Sequence, residues 1–118
     1  MSVATAHEAL SVALETVEGL RVFRDPGAVL DPPAALVGPP LLSFGGPDSD
    51  PIAARWVVIV AVNFDDRAFP NLWELIPQVT AAIESLTDAV VSQASPGTWQ
   101  NGAISLPCYE ISVETSLN

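Results

Sequence analysis

The side chains able to do chemistry are few and stand apart. His7 is the only histidine, and no serine or cysteine motif surrounds it. A general base needs a positioned partner, so His7 reads as a surface or interface residue of a helix. Cys108, the only cysteine, follows Pro107 in an alternating segment and reads as a small, half-buried packing residue rather than a nucleophile. Asp48 and Asp50 in "PDSDP" look like the start of a calcium loop, yet the ligand spacing of such a loop is missing and the run reads as a turn. Asp65 and Asp66 stand where a helix cap belongs, with no second acid pair facing them, so capping outweighs acid–base work. The chain has no lysine, which excludes a phosphate-loop lysine and a Schiff base. The expectation is a protein that is not an enzyme, with no catalytic residue, cofactor or metal.

What must position these residues follows from hydrophobic periodicity. "VATAHEALSVALETVEGL" places Val3, Ala6, Leu10, Ala13, Leu14 and Val17 on one side, an amphipathic helix ending at Gly19. "LRVF" follows as a short strand. "RDPGAVLDPPAALVGPP" holds five of the eleven prolines, which fix φ and remove donors, so residues 24–40 are expected as an extended arm with a brief strand between Ala34 and Phe44. With Leu30, Leu36, Val37, Leu41 and Leu42 it is too apolar for a solvated linker; it folds across its own domain or lies on a neighbour. Residues 45–53, beginning "GGPDSDP", read as a loop.

"ARWVVIVAVNF" is an uninterrupted β-branched and aromatic run, expected of a central strand covered on both faces. "LWELIPQVTAAIESL" then spaces Leu72, Ile76, Val79, Ile83 and Leu86 by four, three, four and three, an amphipathic helix with Pro70 in its first turn and a kink or restart at Pro77. "VVSQAS" reads as a strand and "SPGTWQNG" as turns. In "LPCYEISVETSL", Tyr109, Ile111, Val113, Thr115 and Leu117 point one way, while Cys108, Glu110, Ser112, Glu114 and Ser116 point the other. The order of elements predicts a single α+β domain over 1–118, with two main helices on one face of a mostly antiparallel sheet. Trp56 and Trp73 are expected in the core or at its edge. Trp99, among turn residues, is a candidate interface anchor.

Composition narrows the partners. Four arginines stand against fourteen acids, a formal charge of −10, so phosphate-backbone binding by clustered cations is excluded. The longest strongly apolar run, Trp56 to Val62, is far short of the roughly 20 residues that span a bilayer. No secretory pattern is visible in "MSVATAHEAL", and a lone cysteine suits a reducing cytoplasm.

The runs "GLRVFRDPGAVLDPPAALVGPPLLSF", "WVVIVAVNFDDRAFPNLWELIPQVTAAIESLTDAVVSQASPGTW" and "GAISLPCYEISVETSL" together resemble small tail proteins of long-tailed bacteriophages that infect actinobacteria, and among these the tail terminator family. The resemblance implies a structural virion protein of the tail and neck, assembled in the host cytoplasm. It implies a homo-oligomer, a sixfold ring that caps the tail tube, stops its polymerisation and joins the tail to the head. Its partners would be the major tail tube protein and the head-tail connector or stopper, with DNA passing through the ring without specific binding. On that reading Pro32, Pro33, Leu36, Val37 and Trp99 are the oligomer-interface candidates, and Glu110 and Glu114, two pleats apart on one strand face, are the channel-facing candidates. A connector or stopper of the same neck, another minor tail protein and an acidic inhibitor that mimics DNA remain as alternatives. The mimic needs carboxylates spaced like phosphates, and the acids here are scattered.

Overall fold

The computed structural model describes residues 1–25, 27–46 and 50–117. Helix α1 spans Val3–Glu15. Ser2 caps it, its Oγ accepting the Thr5 N–H at 3.1 Å. The helix stops short of the expected Gly19: the Thr16 N–H and hydroxyl both donate to the Ala13 carbonyl, at 3.2 and 2.6 Å, which tightens the last turn. Gly19 lies in the turn that follows, with φ +80°, a conformation that favours glycine.

Strand β1 (Arg21–Phe23) pairs in parallel with β2 (Ala34–Val37), and every other pairing in the six-stranded sheet is antiparallel. β3 (Leu41–Ser43) lies beside the first half of β4 (Ala53–Ala61), and β2 beside its second half. The order runs β1-β2-β4-β6-β5. Strands β5 (Ala89–Asn101) and β6 (Ile104–Ser116) form a long hairpin closed at Gly102, whose φ of +67° suits the first turn position. The fold is thus α+β with a mostly antiparallel sheet and two helices.

Helix α2 spans Ala68–Glu84. Its buried stripe is Ala68, Leu72, Val79 and Ile83, the spacing that sends side chains to one face. These pack with Leu10 and Leu14 of α1 on Trp56, Val58, Val60, Ile111 and Val113. Both helices therefore cover the same side of the sheet, as the odd-numbered alternation of β6 required. Pro77 lies inside α2 without dividing it; it lacks the N–H that the Trp73 carbonyl would otherwise receive. Asp65 does not cap α2. The N-cap is Arg67, with no side-chain bond, and the Asp65 Oδ1 accepts the N–H of Arg67 itself at 2.8 Å, a local turn two residues long that leads into the helix.

Three expectations need correction. The extended arm expected over 24–40 gives way to sheet: the brief strand expected between Ala34 and Phe44 forms as two, β2 and β3, and all four residues of β2 are buried. "SPGTWQNG" is mostly strand, with Pro96 and Gly97 inside β5. β5 is the terminal strand of the order, the place where a proline without an N–H costs least. β4 is covered on both faces only from Val58 to Ala61, whereas Arg55 and Val57 are exposed on the outer face. Within the loop expected at 45–53, residues 47–49 lie outside the described residues.

Candidate interaction surfaces

On the face away from the helices, a second, smaller cluster forms. Leu30, Ala34, Leu36, Ile59, Ala61, Leu106 and Cys108 are buried together, with Phe23 and Trp99 packed against them. Asn101 fixes the chain segment that supplies Leu30, by buried hydrogen bonds to the Leu30 backbone. Arg21 holds the next residues, its Nη1 donating to the Pro32 carbonyl at 3.1 Å and its Nε lying 3.3 Å from Asp31. Arg24 reaches back to Glu8 and Glu15 on α1, at 3.3 and 2.8 Å.

These contacts relocate the expected interface residues. Leu36 and Val37 belong to this chain's own cores, one on each face of the sheet, because β2 pairs with β4 along its whole length; neither side chain is available to a neighbour. Pro32 and Pro33 are half-buried. Trp99 is half-buried on β5, and its indole Nε1 is enclosed with no hydrogen-bond partner among the described residues.

The rest of the outer face is open. Leu41, Arg55, Glu114 and Val90 are successive cross-strand neighbours over β3, β4, β6 and β5. All four are exposed. Arg55 and Glu114 are 3.8 Å apart. Glu110, two pleats along β6, is also exposed. Its carboxylate lies over Gly97, where an added Cβ would sit 3.1 Å from Oε2. Both channel candidates are therefore on the solvent side of the sheet, but only Glu114 faces a cation across the strands.

Exposed apolar side chains gather at two further places. One is the corner made by β3 and the start of β4, with Leu41, Leu42, Phe44 and Ile52. The other is α2. Trp73, expected in or beside the core, is exposed, because it stands on the helix flank next to the hairpin rather than on the buried stripe. Its Nε1 donates to the Tyr109 Oη at 3.0 Å, and the Phe69 ring lies one turn earlier with centroids 6.2 Å apart. On the opposite flank of α2 a groove of about 280 Å³ is lined by Pro33, Asn63, Asp65, Asn71, Glu74 and Gln78.

The residues with chemical potential do not meet. His7 Nε2 is 2.8 Å from the Val37 carbonyl. That oxygen can only accept, so Nε2 carries the proton. The imidazole also packs on fully buried Trp56, centroids 5.6 Å apart, which ties α1 to the sheet. Cys108 is buried, and its thiol is pushed up to about 11, by burial first and then by the Glu110 carboxylate. It stays protonated at neutral pH, the form that is a poor nucleophile. Asp66 is exposed, and of the pair Asp48 and Asp50 the first lies outside the described residues. Among the described residues no three His, Cys, Asp or Glu side chains gather as a metal-binding set, and no helix is long and apolar enough to cross a membrane.

Periodicity missed the aromatic flank of α2, since Trp73 sits just beside the apolar stripe and reads as its edge. The available signal was the i, i+4 pair Phe69 and Trp73 off the Leu72 stripe. No protein-family model matches the chain, and no curated protein matches it.

Proposed function

We propose that this chain is a structural virion subunit, a tail terminator that forms a ring on the end of a bacteriophage tail tube, halts its growth and joins it to the head connector. The observation that carries this reading beyond the family resemblance is the separation of two exposed apolar surfaces, the β3 corner and the aromatic flank of α2, on a chain of charge −10. A ring subunit between a tube and a connector needs contacts both to copies of itself and to unlike neighbours. Copy-to-copy contact belongs at the β3 corner, around Leu41, Leu42 and Phe44, in place of the buried Leu36 and Val37. Pro32, Pro33 and Trp99 remain candidates at its periphery. The open sheet face with Glu110 and Glu114 is the surface assigned to the channel, where like charge keeps passing DNA from binding.

The test is a particle that lacks the chain. Electron microscopy should show tubes of uncontrolled length and heads without tails, and supplying the chain should restore uniform tails. Tubes of normal length that fail to join heads would instead make the chain a connector or stopper. Normal infectious particles would overturn the virion reading.

A further inference from the structure

We propose that copies of this chain join by sheet addition, the free edge of β3 in one copy pairing antiparallel with the start of β5 in the next. This rests on the ring reading for a contact between copies, and it names the surface that the β3 corner meets.

The two edges match in direction. Beside the first half of β4 the strands lie in the order β3-β4-β6-β5, each antiparallel to its neighbour. Four alternating strands leave β3 and β5 running opposite ways at the two edges. A second copy added edge to edge in the same orientation therefore continues an antiparallel ladder. Pairing of like edges would use one edge and leave the other bare.

The hydrogen-bonding groups match as well. The Leu117 N–H donates to the Ile52 carbonyl at 2.9 Å, and the alternation of an antiparallel ladder then turns Ala53 and Arg55 toward β3. Leu42, opposite Ala54, is left with its N–H and C=O toward the free edge. On the other side the Ser116 N–H donates to the Asp88 carbonyl at 3.1 Å, which turns Ala89 and Val91 away from β6. The Ala89 N–H goes to the Leu86 carbonyl at 3.3 Å, so Val91 is the residue that offers both groups. Among the described residues no strand pairs with β5 on that side, nor with β3 beyond β4.

The pleat agrees. The cross-strand neighbours of Leu42 and Val91, Ala54 and Val113, both lie in the cluster beneath the helices. Pairing Leu42 with Val91 thus keeps each side chain on its own face. It sets Ser43 opposite Val90 and Leu41 opposite Ser92 on the outer face. There a groove of about 360 Å³, lined by Ile52, Asp88, Val90, Ser92 and Glu114, receives the Leu41 side chain.

Charge selects a second copy as the occupant. At a charge of −10 copies repel wherever their acids meet, yet neither β3 nor β5 carries a charged residue. Edge strands are commonly guarded by charges, and these two are not. Leu41 is 67% and Val90 60% exposed, and the join covers both.

A three-residue pairing is weak alone, so a disulfide is used to trap it. Chains carrying Ser43→Cys and Val90→Cys, both in a Cys108→Ala background, are mixed and oxidised with glutathione disulfide. All three of Ser43, Val90 and Thr98 are exposed, so cysteines there leave the fold intact. A mixed dimer should form about tenfold faster than dimers of either chain alone, because the two positions meet as a non-hydrogen-bonded pair, where Cβ atoms come closest. Ser43→Cys with Thr98→Cys, beyond Pro96, should give no such excess. One chain carrying both Ser43→Cys and Val90→Cys cannot close on itself, since the positions lie three strand spacings or about 14 Å apart; it should give a ladder of linked copies. No mixed dimer at the highest soluble concentration, or like chains linking as fast as unlike ones, would overturn the pairing. A ladder that runs past the hexamer keeps the pairing and removes the sixfold ring. Normal particles without the chain would remove the virion role and leave the pairing in place.

Discussion

Asn101, at the tip of β5, holds Leu30 by both of its backbone groups: the side-chain Oδ1 accepts the Leu30 N–H at 2.7 Å and the Nδ2 donates to the Leu30 carbonyl at 3.0 Å. The two residues are 71 positions apart and the contact is buried. A side-chain amide here does what a neighbouring strand would do, satisfying donor and acceptor together in a proline-rich segment that makes few ladder bonds of its own. Asn101→Ala leaves both Leu30 groups buried and unpaired. The expected cost is about 1–3 kcal/mol, read as a lowered midpoint in urea. An unchanged midpoint would show that water replaces the amide without loss.

The buried β2 reverses what an arm would predict. Were 24–40 an appendage, its deletion would leave a folded subunit. Since Ala34 to Val37 pair with β4 and fill both cores, removing residues 25–40 should abolish cooperative thermal unfolding and the dispersed amide spectrum. A deletion variant that still melts cooperatively would mean that β1 and β3 close the sheet without β2.

The core stripe of α2 gives a graded test. Leu72 and Ile83 are both fully buried in the cluster beneath the helices, so Leu72→Ala and Ile83→Ala should each cost about 2–5 kcal/mol, by lost transfer energy and the cavity left behind. Trp73→Ala, one residue along but exposed, should fall well below that range. Denaturant melts of the three variants compare a buried and an exposed neighbour on one helix.

Cys108 predicts a pH dependence whose sign can be worked out. Burial and the Glu110 carboxylate raise its folded value to about 11, above that of an unfolded thiol near 8.5. Between these values the unfolded chain has lost the proton that the folded chain keeps. The thiol's contribution to stability is thus present below the unfolded value and is lost as pH rises through the folded one. The wild-type chain should lose more stability than Cys108→Ala between pH 8 and 11, in melts run side by side. Parallel curves would show that the thiol does not titrate differently on folding.

How far these relationships could be read from the sequence depends on the kind of signal. The alternation of Tyr109 to Leu117 and the stripe Leu72, Val79, Ile83 were legible because burial on one face leaves a period in the chain. The second cluster was not. It is built from single residues far apart, Leu30, Leu36, Ile59 and Leu106, joined by a side-chain amide, and no local period encodes such a meeting. Prolines misled twice: Pro32 and Pro33 suggested an appendage, and Pro96 with Gly97 suggested a turn, where an edge strand accommodates both. The surfaces were half legible. Glu110 and Glu114 were placed correctly on the outward side of β6, whereas Arg55 opposite Glu114 follows only from the register of β4 against β6.

That register shapes the last prediction. On the channel assignment, Glu110 and Glu114 repel passing phosphate, but Arg55 lies 3.8 Å from Glu114 and offsets part of its charge. Both groups are more than half exposed, so the pair contributes little to stability. Glu110 faces Ser95 and Ile59 across its strand neighbours, not a cation, and should therefore dominate the repulsion. Glu110→Lys alone should slow DNA exit more than Glu114→Lys alone, and the double variant most, because cations in the channel bind phosphate in a salt-dependent way. Each variant should fold and assemble, since both side chains point to solvent. The measurement is the rate of DNA release from particles shown to carry each variant, at low and at high salt. Equal, normal rates at low salt for all three would move these carboxylates to the outside of the proposed ring while leaving the ring proposal itself untouched.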